Sequence, residues 1–256
     1  MLSLAKEIAY VALDVCTAWR GVPRLVGGEW IRFPARWCRY YAADYEPATF
    51  TFLRAHCLEG ATVLDVGAHI GLFSVLMARL VGPSGRVISF EPTPLTRRVL
   101  DETVRLNGFG DVVEVRAEAV SARPGRTIFH DTGDPCSNAN SLVRSERSRG
   151  TIAVDTVSID EFVSSRGIRV QCLKVDVEGA ELEVLRGACH TLSTCRPAVS
   201  LAVHPRALCM SGGRLADLWA AARRCRMSIQ RLNRPVDEAW FTSQSDLFDV
   251  HLLPEQ

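Results

Sequence analysis

Asp65 closes an apolar run in VLDVGAHIGLFS, Val63 to Ser74, and Gly67, Ala68 and Gly71 follow it. A second apolar segment with helical spacing comes next (Ile70, Phe73, Met77, Leu80). That pattern is a strand, a tight turn and a helix. Gly67 accommodates a positive φ and lets a ligand reach the backbone. The helix N-terminus behind it presents free N–H groups. A dinucleotide site would read GxGxxG and hold a pyrophosphate on those groups. Here the glycines are spaced GxxxG, and Asp65 would repel a pyrophosphate. A cationic ligand without phosphate suits the turn better. S-adenosylmethionine (SAM) is one: its sulfonium and ammonium are positive, and its carboxylate can use backbone N–H groups. The plainer alternative is an ordinary βα turn of some other α/β protein.

Further acids recur at the ends of later runs. RVISFEP, Arg86 to Pro92, reads as a second buried strand ending in Glu91. An acid there can accept from both hydroxyls of a ribose; the alternative is a helix N-cap acid beside Pro92. Glu118 follows a third strand, Val112 to Arg116, either beside an adenine amino group or as a solvated loop charge. Leu173 to Val177 is a fourth, with alternation putting Lys174, Asp176 and Glu178 on one face. Three charges on one face of a buried strand are costly unless paired or used. A fifth strand, Ala198 to Val203, ends in His204, which can act as a base or bind a metal. Open α/β sheets bind ligands outside the carboxyl ends of their strands, so all these groups fall at one edge.

The elements that must position them alternate. Helices are expected over Pro47 to Leu58, Leu95 to Leu106, Ile159 to Ser164 and Arg214 to Arg224, with Ile152 to Val157 as an edge strand. Met227 to Leu232 and Leu247 to Leu253 are expected to pair as two last strands. Residues 1–20 read as an amphipathic helix, and Gly27-Gly28 as a turn before a strand from Glu29 to Phe33. Trp30, Phe33, Trp37, Tyr40, Tyr41 and Tyr45 crowd together there, as packing or as the wall of an acceptor pocket. Asp131 to Gly150 is a polar loop in which Asn138, Asn140 and Ser141 are the hydrogen-bonding candidates.

A net charge of +1 gives no electrostatic case for nucleic acid or an anionic membrane. The nine cysteines are odd in number and contain no CxxC pair, which reads as reduced thiols in a cytoplasmic protein. Lys6, Glu7 and Asp14 interrupt the first apolar stretch, so no membrane span is expected, though weak attachment to a membrane surface stays open.

In order and spacing, VLDVGAHIGLFS, ISFEP, LKVDVEGAELEVLRGA and VSLAVHP resemble a class I SAM-dependent methyltransferase of the FkbM type. The likeness covers roughly residues 45–205. It implies a doubly wound, mainly parallel α/β sheet of seven strands, Rossmann-like, with an antiparallel C-terminal strand. The division expected is an N-terminal helix and aromatic cap over residues 1–46 and a methyltransferase domain over 47–256. The likeness implies that Asp65, Gly67, Ala68 and Gly71 cradle the methionine part of SAM, Glu91 the ribose and Glu118 the adenine side. His69 stands where members usually carry Asn and can still donate to the SAM carboxylate. The acceptor implied is a hydroxyl of a sugar, polysaccharide or secondary metabolite. His204 is the expected base, with Asp176, Glu178 and Lys174 beside it; a magnesium-type site at Asp176, Glu178 and His204 is the less favoured version, and no metal is expected. A SAM-binding protein without catalysis, or an NAD-dependent oxidoreductase, are the competing classes.

Overall fold

A computed structural model describes residues 4–131 and 150–255. Helix α1 (Leu4–Cys16) comes first. Gly27 and Gly28 take φ of 56° and 84°, as a two-residue hairpin turn requires. They join β1 (Val22–Val26) to β2 (Glu29–Phe33) in antiparallel register. β1 escapes the sequence reading because Pro23 and Arg24 break its apolar pattern. A 3-10 turn at Ala35–Trp37 leads to α2 (Pro47–His56).

From there strand and helix alternate: β3 (Thr62–Val66), α3 (Leu72–Val81), β4 (Arg86–Phe90), α4 (Pro94–Leu106) and β5 (Val113–Arg116). Pro94 starts α4 where its missing N–H costs nothing. Three strands then form a separate small sheet: β6 (Ala119–Val120), β7 (Gly125–Asp131) and β8 (Gly150–Val157), in the order β6-β8-β7. The segment expected as an edge strand, Ile152 to Val157, is thus the centre of its own sheet. The two-residue β6 on its far side is too short to leave a sequence pattern.

The chain returns through α5 (Ile159–Arg166), capped by Ser158 Oγ accepting from Glu161 N–H, to β9 (Cys172–Val175). Then come α6 (Glu181–Arg186), α7 (Cys189–Thr194), β10 (Ala198–Val203), α8 (Pro205–Met210) and α9 (Leu215–Arg224). The tail is β11 (Met227–Arg231), β12 (Arg234–Pro235), α10 (Glu238–Thr242) and β13 (Phe248–Pro254).

The main sheet is ordered β12-β11-β13-β10-β9-β3-β4-β5. β13 runs antiparallel between β10 and β11, while β9, β3, β4, β5 and β10 are parallel. The seven strands expected are all here, and the two-residue β12 adds an eighth at one edge. One apolar core, including Phe162, Leu185 and Leu218, lies under α5, α6 and α9. The other lies under α2 and α3 and contains cap residues Ile31, Phe33 and Trp37 together with Phe50, Leu53 and Val75. Helices cover both faces, the arrangement a parallel sheet needs to bury its two apolar sides. The eight described cysteines are all free thiols, and no described helix is long and apolar enough to cross a membrane.

Candidate active site

Parallel register brings the carboxyl ends of β3, β4, β9 and β10 together, and the candidate residues gather there. The turn after β3 is pinned by Gly67 and Ala68 N–H groups, which donate to Phe90 O at 3.1 and 3.0 Å. Gly67 has φ +80°, and a Cβ on it would lie 1.9 Å from the carbonyl oxygen of Asp176. The glycine is therefore required first by the approach of the turn after β9, ahead of any ligand. Gly71, at φ +92°, precedes α3 with Leu100 Cδ1 only 2.7 Å from where a Cβ would be.

Asp65 is fully buried. Ser74 Oγ donates to its Oδ2 at 2.6 Å, and Lys174 Nζ lies 3.9 Å from Oδ1. Burial pushes its carboxyl above the usual range, against the pull of Lys174 and Ser74. It is absent from the walls of both cavities described below, so it stands beneath the turn rather than in the cleft.

A cleft of about 630 Å³, open mouth included, runs along this edge. Phe90, Val120 and Phe129 give it apolar walls, and Glu91, Glu118, Asp176 and Glu178 give it carboxylates. Glu91 accepts from Thr93 N–H at 2.8 Å and from His69 N–H at 3.1 Å. The local, cap-like bond and the cleft-lining position thus coexist in one side chain. Glu118 is tied to Arg116; burial raises its carboxyl, but Arg116 outweighs that and holds it low.

A second cavity of about 330 Å³ lies across the turn, walled by Tyr40, Tyr41, Tyr45 and Phe73 with Lys174 and Asp176. Gly67, His69 and Asp176 line both spaces. Of the aromatic cluster, Trp30 is elsewhere, 63% exposed on the hairpin; the tyrosines pack edge-on or tilted against one another, and Tyr40 lies tilted with its ring 5.0 Å from that of His69. His69 takes φ +49°, a costly conformation for a residue with a Cβ. Burial drops its pKa to about 4, so the ring is neutral. Its Nδ1 pairs with Tyr41 Oη at 3.2 Å, while Nε2 is buried without a partner. When the Tyr41 hydroxyl donates to Nδ1, Nε2 carries the proton, and a buried donor awaits an acceptor at the junction of the two cavities.

Lys174, Asp176, Glu178 and His204 meet beside that junction. Lys174 Nζ is 3.3 Å from Asp176 Oδ2 and 5.1 Å over the Phe73 ring. Burial opposes its charge, but Asp176 and Asp65 more than restore it, so the ammonium persists at high pH. β9 ends at Val175, so strand alternation does not carry Glu178 to this face. A turn does: Glu178 has φ +50° and Gly179 φ +101°, and a Cβ on Gly179 would lie 2.7 Å from Ala207 backbone carbon. His204 Nε2 lies 3.7 Å from Asp176 Oδ1 and 3.5 Å from Glu178 Oε1.

The other ring nitrogen has a partner that sequence reasoning passed over. Glu181 is fully buried at the start of α6, and its Oε1 is 2.7 Å from His204 Nδ1. Gly179 N–H donates to the same oxygen at 3.0 Å. In the sequence Glu181 reads as an ordinary first-turn acid; only the closure of α8 on Gly179 turns it inward. Asp249 on β13 is a second addition, its pKa raised to about 6 by burial and by Glu46 and Asp176. Burial pulls the His204 imidazole down, but Glu181, Glu178 and Asp176 together lift its pKa to about 9. One ligand-type atom each from Asp176, Glu178 and His204 lies within 4.8 Å of the others, the sole such trio among the described residues. With His204 protonated, the trio is an ion-paired cluster. Asn138, Asn140 and Ser141 lie outside the described residues.

The profile of the methyltransferase FkbM domain matches residues 65–226, which takes in every group just described from Asp65 to His204. The chain belongs to the FkbM methyltransferase family. It is 30% identical over 186 residues to methyltransferase sdnD of Sordaria araneosa, covering 58% of this chain and 71% of that one. It is also 30% identical over 138 residues to hexuronic acid methyltransferase AglP of Haloferax volcanii, covering 53% of each. This chain thus spans about half the length of the archaeal relative. Among solved structures, a candidate rRNA methylase from Clostridium thermocellum superposes with a TM-score of 0.51 at 11% identity, covering 84% of this chain and 98% of that one. At that identity the likeness is one of fold. This FkbM methyltransferase therefore has the Rossmann-like sheet of its class, with the cluster around His204 at the sheet's carboxyl edge.

Proposed function

We propose that this methyltransferase uses SAM to methylate a hydroxyl group on a sugar, polysaccharide or secondary metabolite. The observation that carries the reading is the unpartnered buried Nε2 of His69 at the junction of the two cavities. A carboxylate is the acceptor such a donor calls for, and the amino-acid end of SAM has one. Glu91 keeps lone pairs free for ribose hydroxyls, Glu118 borders the adenine side, and Phe90 and Phe129 give the base apolar walls. Gly67, Ala68 and Gly71 shape the turn, while Asp65 supports it through Ser74 and Lys174.

Bound SAM would supply an electrophilic methyl group on a sulfonium, the carbon–sulfur bond breaking as the acceptor oxygen bonds to carbon. The hydroxyl proton must leave that oxygen, and His204 Nε2 is the group proposed to take it. Glu181 fixes Nδ1 and so aims Nε2 at Asp176 and Glu178. In the free protein those carboxylates hold a proton on the ring. Asp176 and Glu178 also line the main cleft, so a cationic ligand there takes over their charge and loosens that proton. The catalytic group proposed is thus His204 with Asp176, Glu178 and Lys174 around it.

Two competing readings are weaker. A dinucleotide would set its phosphates against acids, and a mere SAM binder has no use for the buried Glu181–His204 pair. Metal is not needed in this scheme, since Lys174 and the imidazolium together offset the charge of Asp176 and Glu178; turnover lost on chelation and restored by magnesium would contradict that. The test of the function is mass spectrometry of products from isotopically labelled SAM and candidate hydroxyl acceptors. A product gaining one methyl on oxygen supports it. Methyl on nitrogen or carbon, or none from any extract, counts against it.

A further inference from the structure

Helix α1 is attached to the molecule back to front. Leu13 packs against the core that also holds Trp37 and Phe33, and Asp14 Oδ1 accepts from Ala35 N–H at 3.3 Å. Its opposite face holds Ile8, Val11 and Val15, which at 100° per residue fall within about 60° of one another. These three are 61%, 55% and 58% exposed, and Trp19, in the turn that follows, is 61% exposed. An amphipathic helix in a soluble core does the reverse. Leu25 and Trp30, cross-strand partners on the β1–β2 hairpin, are exposed as well. Six of the twelve exposed large hydrophobic side chains among the described residues thus lie within the first thirty positions. Scattered exposed apolar residues need no explanation, but a concentrated patch does.

The charge of the same segment indicates what covers it. Residues 4–39 hold six basic residues (Lys6, Arg20, Arg24, Arg32, Arg36, Arg39) against three acids (Glu7, Asp14, Glu29). Asp14 is engaged with Ala35, and Glu29 with Arg54 and Arg79 from elsewhere in the fold; of the basic residues, Arg32 is tied to Arg20 O and Gly21 O, while Arg20 and Arg39 are exposed. The chain as a whole is near neutral at +1, so the excess of positive charge is local to this segment. We propose that this face of α1, with Trp19 at its end, lies on an anionic lipid surface. The stripe enters the headgroup boundary, the tryptophan sits at the interface where its ring and N–H are both served, and exposed arginines such as Arg20 and Arg39 meet lipid phosphates. α1 has 13 residues, about 20 Å of helix, enough to lie in the interface and far short of the ~20 residues a span needs. A second copy of the chain fits less well. Two-fold pairing of antiparallel helices would set the Lys6 end of one against the Arg20 end of the other. A stripe about 20 Å by 10 Å is also well below the ~800 Å² per partner of a stable interface.

The experiment is flotation of the full chain with phosphatidylcholine vesicles, with and without one quarter phosphatidylglycerol, alongside Val11→Glu/Val15→Glu. Both substituted residues are exposed, so the melting temperature should stay unchanged. The wild-type chain is expected to float with the anionic vesicles, at least about tenfold less with the neutral ones, and less in high salt. The double variant is expected to stay at the bottom. No flotation of the wild type, or equal flotation of the variant, overturns the proposal. So does sedimentation velocity showing a dimer that the variant splits, which would make the face an interface between copies.

Discussion

His204 is held from two sides: buried Glu181 on Nδ1, and Asp176 and Glu178 around Nε2. Its pKa of about 9 moves the expected pH dependence. On residue type alone a histidine base gives a rising limb near neutrality. Here kcat/KM, which reports the free enzyme, should rise through about pH 9, while kcat, which reports the bound complex, should rise at lower pH. Coincident limbs near pH 6.5 in pH–rate profiles would contradict the charge-exchange scheme. Stability follows the same group. Its folded pKa lies above the ordinary 6.5, so its contribution is full below pH 6.5 and is lost as pH rises through about 9. The loss is on the order of 3 kcal/mol. Chemical denaturation at pH 6 and 9.5 should show that fall in the wild type and a smaller one in His204→Ala. Glu181→Gln keeps the shape and removes the charge, so it should shift both kinetic limbs down toward neutrality while SAM affinity holds. His204→Ala should cost about 10²–10⁴ in kcat without weakening SAM binding, since it frees Asp176 and Glu178 for the cationic ligand.

At the scale of elements, the turn after β9 does what strand pattern alone does not predict. Lys174, Asp176 and Glu178 were legible as a charged set because they recur at every second position and the local string is distinctive. Their meeting was expected from strand alternation, but the means was not legible, because it depends on positive φ at Glu178 and Gly179 and on α8 closing against Gly179. Glu181 was missed for the same reason: only three-dimensional closure shows that it faces in. The contact between Gly67 and Asp176 O is testable against a control. Gly67 and Gly108 share nearly the same φ, +80° and +76°, yet nothing lies within 4 Å of a Cβ on Gly108. Gly108→Ala should cost only about 1–2 kcal/mol of backbone strain. Gly67→Ala should cost clearly more, by at least about 2 kcal/mol in denaturant titration, because the β9 turn must move. Equal costs would mean that the two turns do not press together.

Over the whole molecule, the parallel strands were readable because buried strands leave uninterrupted apolar runs, each closed by a turn and an amphipathic helix, while the antiparallel last strand was implied by the family resemblance. In the small sheet β6-β8-β7, strands at Arg126 to His130 and Ile152 to Val157 were readable, but the two-residue β6 carries no periodicity, so their union into a separate sheet was not. Residues 1–46 were expected as a cap, and Ile31, Phe33 and Trp37 share one core with Phe50, Leu53 and Val75. We propose that this segment works as a cap on the methyltransferase domain without being a separate folding unit. The chain from residue 47 onward should then lose cooperative melting, and a sharp transition in calorimetry would contradict it. We propose the cleft lined by Glu91, Asp176 and Glu178 as the SAM site. This assignment is tested most directly by calorimetric titration of S-adenosylhomocysteine into the wild type, Glu91→Gln and His204→Ala, with NAD as the competing ligand. Binding is expected for the wild type and His204→Ala, about 10- to 100-fold weaker binding for Glu91→Gln from the loss of a charge-assisted acceptor, and none of NAD. Unchanged affinity in a Glu91→Gln protein that melts like the wild type, or binding of NAD in its place, would contradict it.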